Sequence, residues 1–261
     1  MTDTSGKCSW LGCSKPQDVK SLMTCSRCEQ AKYCQRSCQK LHWKTHKYTC
    51  VPATSSIHRI GADNSIQTVQ AIIDQAGEGD AIEIKEGTYG APGETLVINK
   101  ALTITGAGMG RVTLRCLLQV QGGGGKLVIS GLKIDGRVDV QENTYESITF
   151  LSVEVACPPQ ATEDAFSIGP GGGKFLLLCC EIVGGSDGLH INSEKVHIHE
   201  TDIQMAHNRG IFANQSFVIE ESAVYNCGGY GIKGRGGWSE KGDNQIQSGP
   251  WSSHGGASGL F

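Results

Sequence analysis

Seven cysteines and a histidine at ligand spacing, His46, inside residues 8–50 constrain this chain more tightly than any other feature. They run Cys8-x4-Cys13, Cys25-x2-Cys28, Cys34-x3-Cys38 and His46-x3-Cys50, which makes four pairs of ligand-type side chains. A short Cys-x2-4-Cys pair can set two thiolates on one tetrahedral metal. A helix carries His46 and Cys50, at i and i+4, on one face. Eight ligands fill two closed tetrahedral sites and leave no position for water, as structural zinc requires. A disulfide framework is the competing reading. The odd number of cysteines in the cluster, a histidine at ligand spacing and a polar N-terminus with no apolar signal core argue against it. His42 lies four residues before His46 on the same helical face and competes as a ligand; the x3 spacing to Cys50 favours His46. The segment is also too small to be held by core burial alone, so metal must supply much of its folding free energy.

The order C-x4-C, C-x2-C, C-x3-C, H-x3-C, and above all the stretch from Tyr33 to Cys50, resembles the MYND zinc finger. That resemblance implies two interleaved zinc sites. Cys8, Cys13, Cys34 and Cys38 would hold one ion, and Cys25, Cys28, His46 and Cys50 the other. It also implies a protein partner, bound as a short peptide that can contain proline. Trp43 matches the family's tryptophan. It either packs the helix, the reading preferred for an aromatic beside so small a core, or lines a peptide groove.

Charge divides unevenly. Residues 1–52 carry nine Lys/Arg against three Asp/Glu, and the remainder fourteen against twenty-three. The basic start invites a nucleic-acid reading. Seven thiolates and two zinc ions lower it from +6 to +3, an ordinary solvated surface, so nucleic acid is not the expected partner. No run approaches the roughly 20 apolar residues of a membrane span. Reduced thiols and the missing signal core point to an intracellular chain, cytoplasmic or nuclear.

Residues 51–60, with Pro52 and small polar side chains, read as a linker. Ile66, Val69, Ile72, Ile73 and Ala76 then recur at helical spacing. Asp63, Asn64 and Ser65 are available as N-caps, and Gly77 and Gly79 end the helix. Beyond this the period becomes two, with short strands at Ala81–Ile84, Leu96–Ile98 and Leu102–Ile104. One pattern then recurs: apolar alternation, a small or polar break, and another apolar position. Its copies begin at Lys126, Ser147, Lys174, Lys195 and Ser216, with spacings of 21, 27, 21 and 21. A second track keeps step at Ala165–Ile168, Gly188–Ile191, Gly210–Ala213 and Gly231–Gly234. Short strands with no helix between them, repeating in this way, describe the coils of a parallel β-solenoid. The helix near 65–76 would cover its first edge.

The opening of this region, from Ile66 through Gly77-Glu78-Gly79-Asp80 and Gly87-Thr88-Tyr89 to Gly106-Ala107-Gly108, resembles right-handed parallel β-helices of the pectin-lyase-like type. The expected fold is therefore mainly β. A zinc finger (8–50) and a linker (51–60) precede a right-handed parallel β-helix (61–234) with an N-terminal capping helix, and a Gly/Ser-rich irregular tail (235–261) follows. Gly106-x-Gly108-x-Gly110 precedes a strand rather than a helix, so it reads as a turn between coils and not as a phosphate cradle.

Catalytic residues are harder to find. The register stacks Asp164, Asp187, Arg209 and Tyr230, with His190, His207 and Lys233 nearby. Two carboxylates on neighbouring coils could work as an acid/base pair. The order weakly resembles the polygalacturonase layout, but the adjacent Asp-Asp pair, Gly-His-Gly and Arg-Ile-Lys are missing. A surface ladder in which Arg209 neutralises Asp187 is the preferred reading. Cys116, Cys157, Cys179, Cys180 and Cys227 lack metal-pair spacing and read as small buried hydrophobes. His197 and His199 share one strand face, where a solvated pair is preferred over a metal site. The expected function is non-enzymatic protein recognition: the finger binds a partner peptide and the solenoid acts as scaffold. The alternatives are a carbohydrate-binding or polysaccharide-cleaving β-helix and a transcription-linked regulator. The low aromatic content, 6% of the chain, weighs against sugar stacking.

Overall fold

A computed structural model describes residues 7–10, 12–13, 22–61, 65–158 and 161–247. The chain divides into two compact units, Met1–Ser56 and Ile57–Phe261.

In the first unit the strands Met23–Thr24 and Lys32–Tyr33 pair antiparallel. Helix α1 follows at Arg36–Thr49. Its buried centre is a ring of cysteines around Tyr33 and Ala31. So small an apolar content cannot outweigh chain entropy, which is why the fold is organised about its ligands.

The second unit is a parallel β-solenoid. Face A stacks Ile57–Ile60, Ala81–Ile84, Thr103–Gly106, the first halves of Lys126–Asp135 and Ser147–Ala156, then Lys174–Leu178, Val196–His199, Phe217–Glu220 and Trp238–Lys241. Face B runs from Gly87–Tyr89 and Val112–Leu114, through the second halves of the two long strands, to Glu181–Val183, Asp202–Gln204, Ala223–Tyr225 and Gln245–Ile246. Face C is a separate sheet from Thr95–Ile98 to Ile232–Gly234. The copies pair in the register that the repeat predicts: Lys126 lies opposite Ser147, and Ser147 opposite Lys174.

Period-two alternation sends every second side chain inward, and stacking turns those positions into continuous apolar rows. On face A one row is Ile82, Ile104, Ile129, Phe150, Leu177, Ile198 and Ile219, all buried. On face C another is Leu96, Leu118, Val138, Phe166, Leu189 and Ile211, ending at the half-buried Ile232. Each fully buried side chain of this kind contributes about 1.5–3 kcal/mol.

The bend from face A to face B is made by one residue. The sixth residue of each copy has a positive φ: Gly131 (63°), Ser152 (52°), Cys179 (53°), Glu200 (47°) and Glu221 (48°). Just inside the bend runs a polar ladder. Thr201 Oγ1 accepts from the Cys180 amide, Ser222 Oγ from the Thr201 amide, and Asn244 Oδ1 from the Ser222 amide. Each coil thus satisfies backbone donors that the bend would otherwise leave buried and unpaired.

Helix α2, Ile66–Gln75, buries Ile66, Val69 and Ile73 against the first coils. Ser65 caps it, accepting from the Thr68 amide. Asp63 and Asn64 lie outside the described residues. The Gln70 side chain donates to Val97 O and accepts from Val97 N at 3.0 and 2.8 Å, so it closes the exposed edge of face C. Two boundaries differ from expectation. Ile57–Ile60, inside the expected linker, is already the first strand and pairs with Ala81–Ile84. Trp238–Lys241 and Gln245–Ile246 extend the coils beyond 234 into the expected irregular tail; the rest of that tail, with Trp251, lies outside the described residues. Gly106 ends a strand and Val112–Leu114 is the next, so the glycine cluster between them is a turn between coils.

Candidate metal centre

Backbone hydrogen bonds bring distant ligands together in the finger. Ser9 N donates to Lys32 O at 2.7 Å and Lys32 N donates to Ser9 Oγ, which binds the segment carrying Cys8 to the second strand. Cys25 N donates to Ala31 O, and Glu29 N to Cys25 O with Glu29 at φ 55°, folding Cys25 and Cys28 into a tight knuckle. α1 begins just after Cys34, carries Cys38 in its first turn and His46 in its last, and ends on Cys50 as its C-cap.

The result is two tetrads: Cys8, Cys13, Cys34 and Cys38, and Cys25, Cys28, His46 and Cys50, each with its ligand atoms within 4.8 Å of one another. This is the interleaved pairing that the resemblance implies. In the first, Cys13 Sγ is 3.4 Å from Cys34 Sγ, and Cys34 Sγ 3.5 Å from Cys38 Sγ. In the second, Cys25 Sγ lies 3.8 Å from Cys50 Sγ, and Cys28 Sγ 3.6 Å from His46 Nε2. A tetrahedron with metal–sulfur bonds of about 2.3 Å has edges of about 3.8 Å, so the donor atoms fit zinc. They stand far beyond the roughly 2.05 Å of a disulfide.

His42 takes no part in either tetrad. Its Nδ1 is 3.1 Å from the Tyr33 hydroxyl, and its ring stacks on His46 at 5.1 Å. Burial, then the nearby His42 and Arg27, lowers the pKa of His46 and keeps the imidazole in the neutral form that can ligate. Burial, followed by the charge of Cys28, pushes the Cys50 thiol up to about 12. Cys25 shifts the other way: against the effect of burial, the backbone amides of Cys28 and Arg27 lower its thiol, and a dication favours the thiolate at every ligand. When bound, zinc supplies cross-linking between the N-terminal segment, the knuckle and α1.

Trp43 does not pack as preferred. It remains 41% exposed on α1, its ring edge-on to His46 at 5.8 Å. The indole that packs against the cysteine cluster is that of the half-buried Trp10. Met23 (39%) and Leu41 (46%) are also exposed.

In the solenoid, Asp164, Asp187 and Arg209 meet on face C. Arg209 Nε and Nη2 reach Asp187 Oδ1 and Oδ2 at 2.9 and 2.6 Å. Asp164 Oδ2 lies 2.9 Å from His190 Nδ1, and its Oδ1 accepts from the Asp187 amide. Each carboxylate thus has a basic partner. Tyr230 stands exposed at the end of this ladder, with Lys233 Nζ 4.8 Å from its ring centre; His207 and these two line one open depression. Cys116, Cys157, Cys180 and Cys227 are buried as expected, whereas Cys179 is only half-buried and its thiol donates to Glu200 Oε2 at 3.1 Å. The corner at Cys179 turns that side chain out of the core, which alternation alone did not reveal. His197 and His199 do share one face, but both are drawn to Glu220. Among the described residues no helix is long and apolar enough to cross a membrane.

Residues 8–50 match the family model described as MYND finger. Over 78 residues the chain is 36% identical to the F-box protein At1g67340 of Arabidopsis thaliana, a match covering 29% of this chain and 19% of that protein. Over 46 residues it is 35% identical to Tudor domain-containing protein 1 of Homo sapiens, covering 18% of this chain and 4% of that one. The chain therefore spans about a fifth or less of the length of these relatives. A solved structure titled Geobacillus virus E2 ORF18 is similar with a TM-score of 0.39 and 11% identity, covering 83% of this chain and 67% of that one. Sequence, ligand geometry and family model agree that residues 8–50 are a MYND zinc finger built on two structural zinc sites.

Proposed function

We propose that this chain is a non-catalytic adaptor, in which the finger binds a short partner peptide and the solenoid is its scaffold. MYND fingers are protein-interaction modules, which makes a protein the partner class. The observation that carries the reading is Trp43, a large exposed indole held against the zinc ligand His46. A rigid aromatic face of this kind suits the flat ring of proline, and exposed aromatics are typical of sites that recognise extended peptides. An array of proline-containing peptides, probed with full-length chain, tests it. Trp43→Ala should lose the peptides bound by wild type while keeping both zinc ions. Equal binding by Trp43→Ala would refute the groove, and retained binding by a Cys28→Ser chain would remove the finger from recognition altogether.

A second reading rests on the depression beside Tyr230. An exposed ring near Arg209 and Lys233 could stack and hold an acidic sugar. Glycan binding that is lost in Tyr230→Ala would favour it.

A further inference from the structure

The corner between faces A and B holds a cluster that the finger does not explain. On three successive rungs the left-handed corner residue is Cys179, Glu200 and Glu221. Glycine adopts that conformation without strain, and Asn or Asp tolerate it; nothing in the backbone favours glutamate. Neighbouring rungs lie about 4.8 Å apart, so Glu200 and Glu221 stack as like charges, an unfavourable arrangement without a cation. His199 adds a nitrogen, with Nε2 3.8 Å from Glu200 Oε1. One ligand atom from each of His199, Glu200 and Glu221 lies within 4.8 Å of the others.

Two further observations bear on the same point. His199 Nδ1 is buried and has no hydrogen-bond partner among the described residues. The nearest carboxylate, Glu220 Oε2, stands 3.9 Å away and is itself held by His197 Nε2 at 3.1 Å. A histidine that ligates metal through one nitrogen usually turns the other to a carboxylate, and His199 is one small rotation from doing so. The Cys179 thiol donates to Glu200 Oε2 and so helps to hold that carboxylate at the corner.

We propose that His199, Glu200 and Glu221 form a third metal site, on the solenoid, for a divalent transition ion of the zinc class. Glu220 orients His199. An imidazole beside two carboxylates favours zinc-like ions over calcium or magnesium, which prefer all-oxygen sites. Three protein ligands at a half-exposed corner leave a coordination position open, unlike the closed tetrads of the finger.

The test uses the full-length chain with both finger sites loaded, equilibrated with zinc buffered by a chelator too weak to strip the finger. Metal is measured per chain, and the melting of the solenoid is followed with and without zinc. Wild type should hold a third zinc and melt at a higher temperature when zinc is present. Glu200→Gln/Glu221→Gln and His199→Ala should hold only the finger's two and show no zinc-dependent shift. Glu200→Gly/Glu221→Gly suits the corner conformation, so it should fold at least as well and yet lose the zinc response. Two zincs per wild-type chain, a third zinc retained in the variants, or a solenoid whose melting ignores zinc would each overturn the proposal.

Discussion

Replacing Arg209 by Met isolates what the ladder on face C does. The Asp187 side chain is 3% exposed and its guanidinium partner 28%. Methionine keeps an apolar stem where the guanidinium lies 3.9 Å from the Phe212 ring centre, but removes the charge. Removing one member of a buried ion pair costs about 3–5 kcal/mol, because the other is left desolvated and unpaired. Water reaches Arg209, which screens the pair. Asp187 Oδ1 also keeps the Arg209 amide at 3.2 Å. Both effects reduce the loss, to about 2–3 kcal/mol, on the order of a hundredfold in the folded-to-unfolded ratio. Urea unfolding of Arg209→Met, Asp187→Asn and the double variant measures it. The double variant should recover most of the loss, since no buried charge remains. A loss below about 1 kcal/mol, the scale of an exposed pair, would refute the structural role and return Asp187 to consideration as a reactive carboxylate.

Other outcomes follow from the same geometry. Strong chelation should expose residues 8–50 to protease while the solenoid keeps its β circular dichroism; a finger that stays resistant without zinc would contradict metal-driven folding. Phe150→Ala should cost about 3–5 kcal/mol in urea unfolding, since its ring meets Phe166 and Phe175 at 4.9 and 5.9 Å in the middle of the stacked row. Burial raises the thiols of Cys116 and Cys180 to about 12 and about 11, so iodoacetamide at mildly alkaline pH should leave both unlabelled until the solenoid unfolds.

Much of this was legible in the sequence because stacking and alternation leave a strong trace. Lys126, Ser147, Lys174, Lys195 and Ser216 mark coil starts that lie one above another in space. The finger's ligands were equally legible, whereas their division into tetrads depends on the Ser9–Lys32 contact and the knuckle, which spacing does not encode. Terminal rungs escaped notice for a physical reason. Trp238–Lys241 covers the previous rung with only one side, so all four residues remain exposed and no apolar alternation is required. Ile57–Ile60 escapes because it is only four residues long and its central side chains are polar: His58 lies 3.0 Å from Asp80 Oδ2 and Arg59 pairs with Glu83. The corners were least visible. Cysteine and glutamate do not advertise a left-handed backbone as glycine does, and a break in the repeat gave no hint that it turns the chain.

The fixed placing of that corner residue also sets the unit in which such a chain can change length. Excising residues 195–215 would bring Ser216 into the place of Lys195, with Leu177 meeting Ile219 and Cys179 meeting Glu221, so inward rows and corners would both continue unbroken. A deletion within a strand would instead invert the side chains beyond it. Smaller changes of length belong to the loops: the inward row continues from Ile82 through Ile104, Ile129 and Phe150 to Leu177 although the intervening coils differ in length, so the strands and corners are held fixed while the connections between them vary.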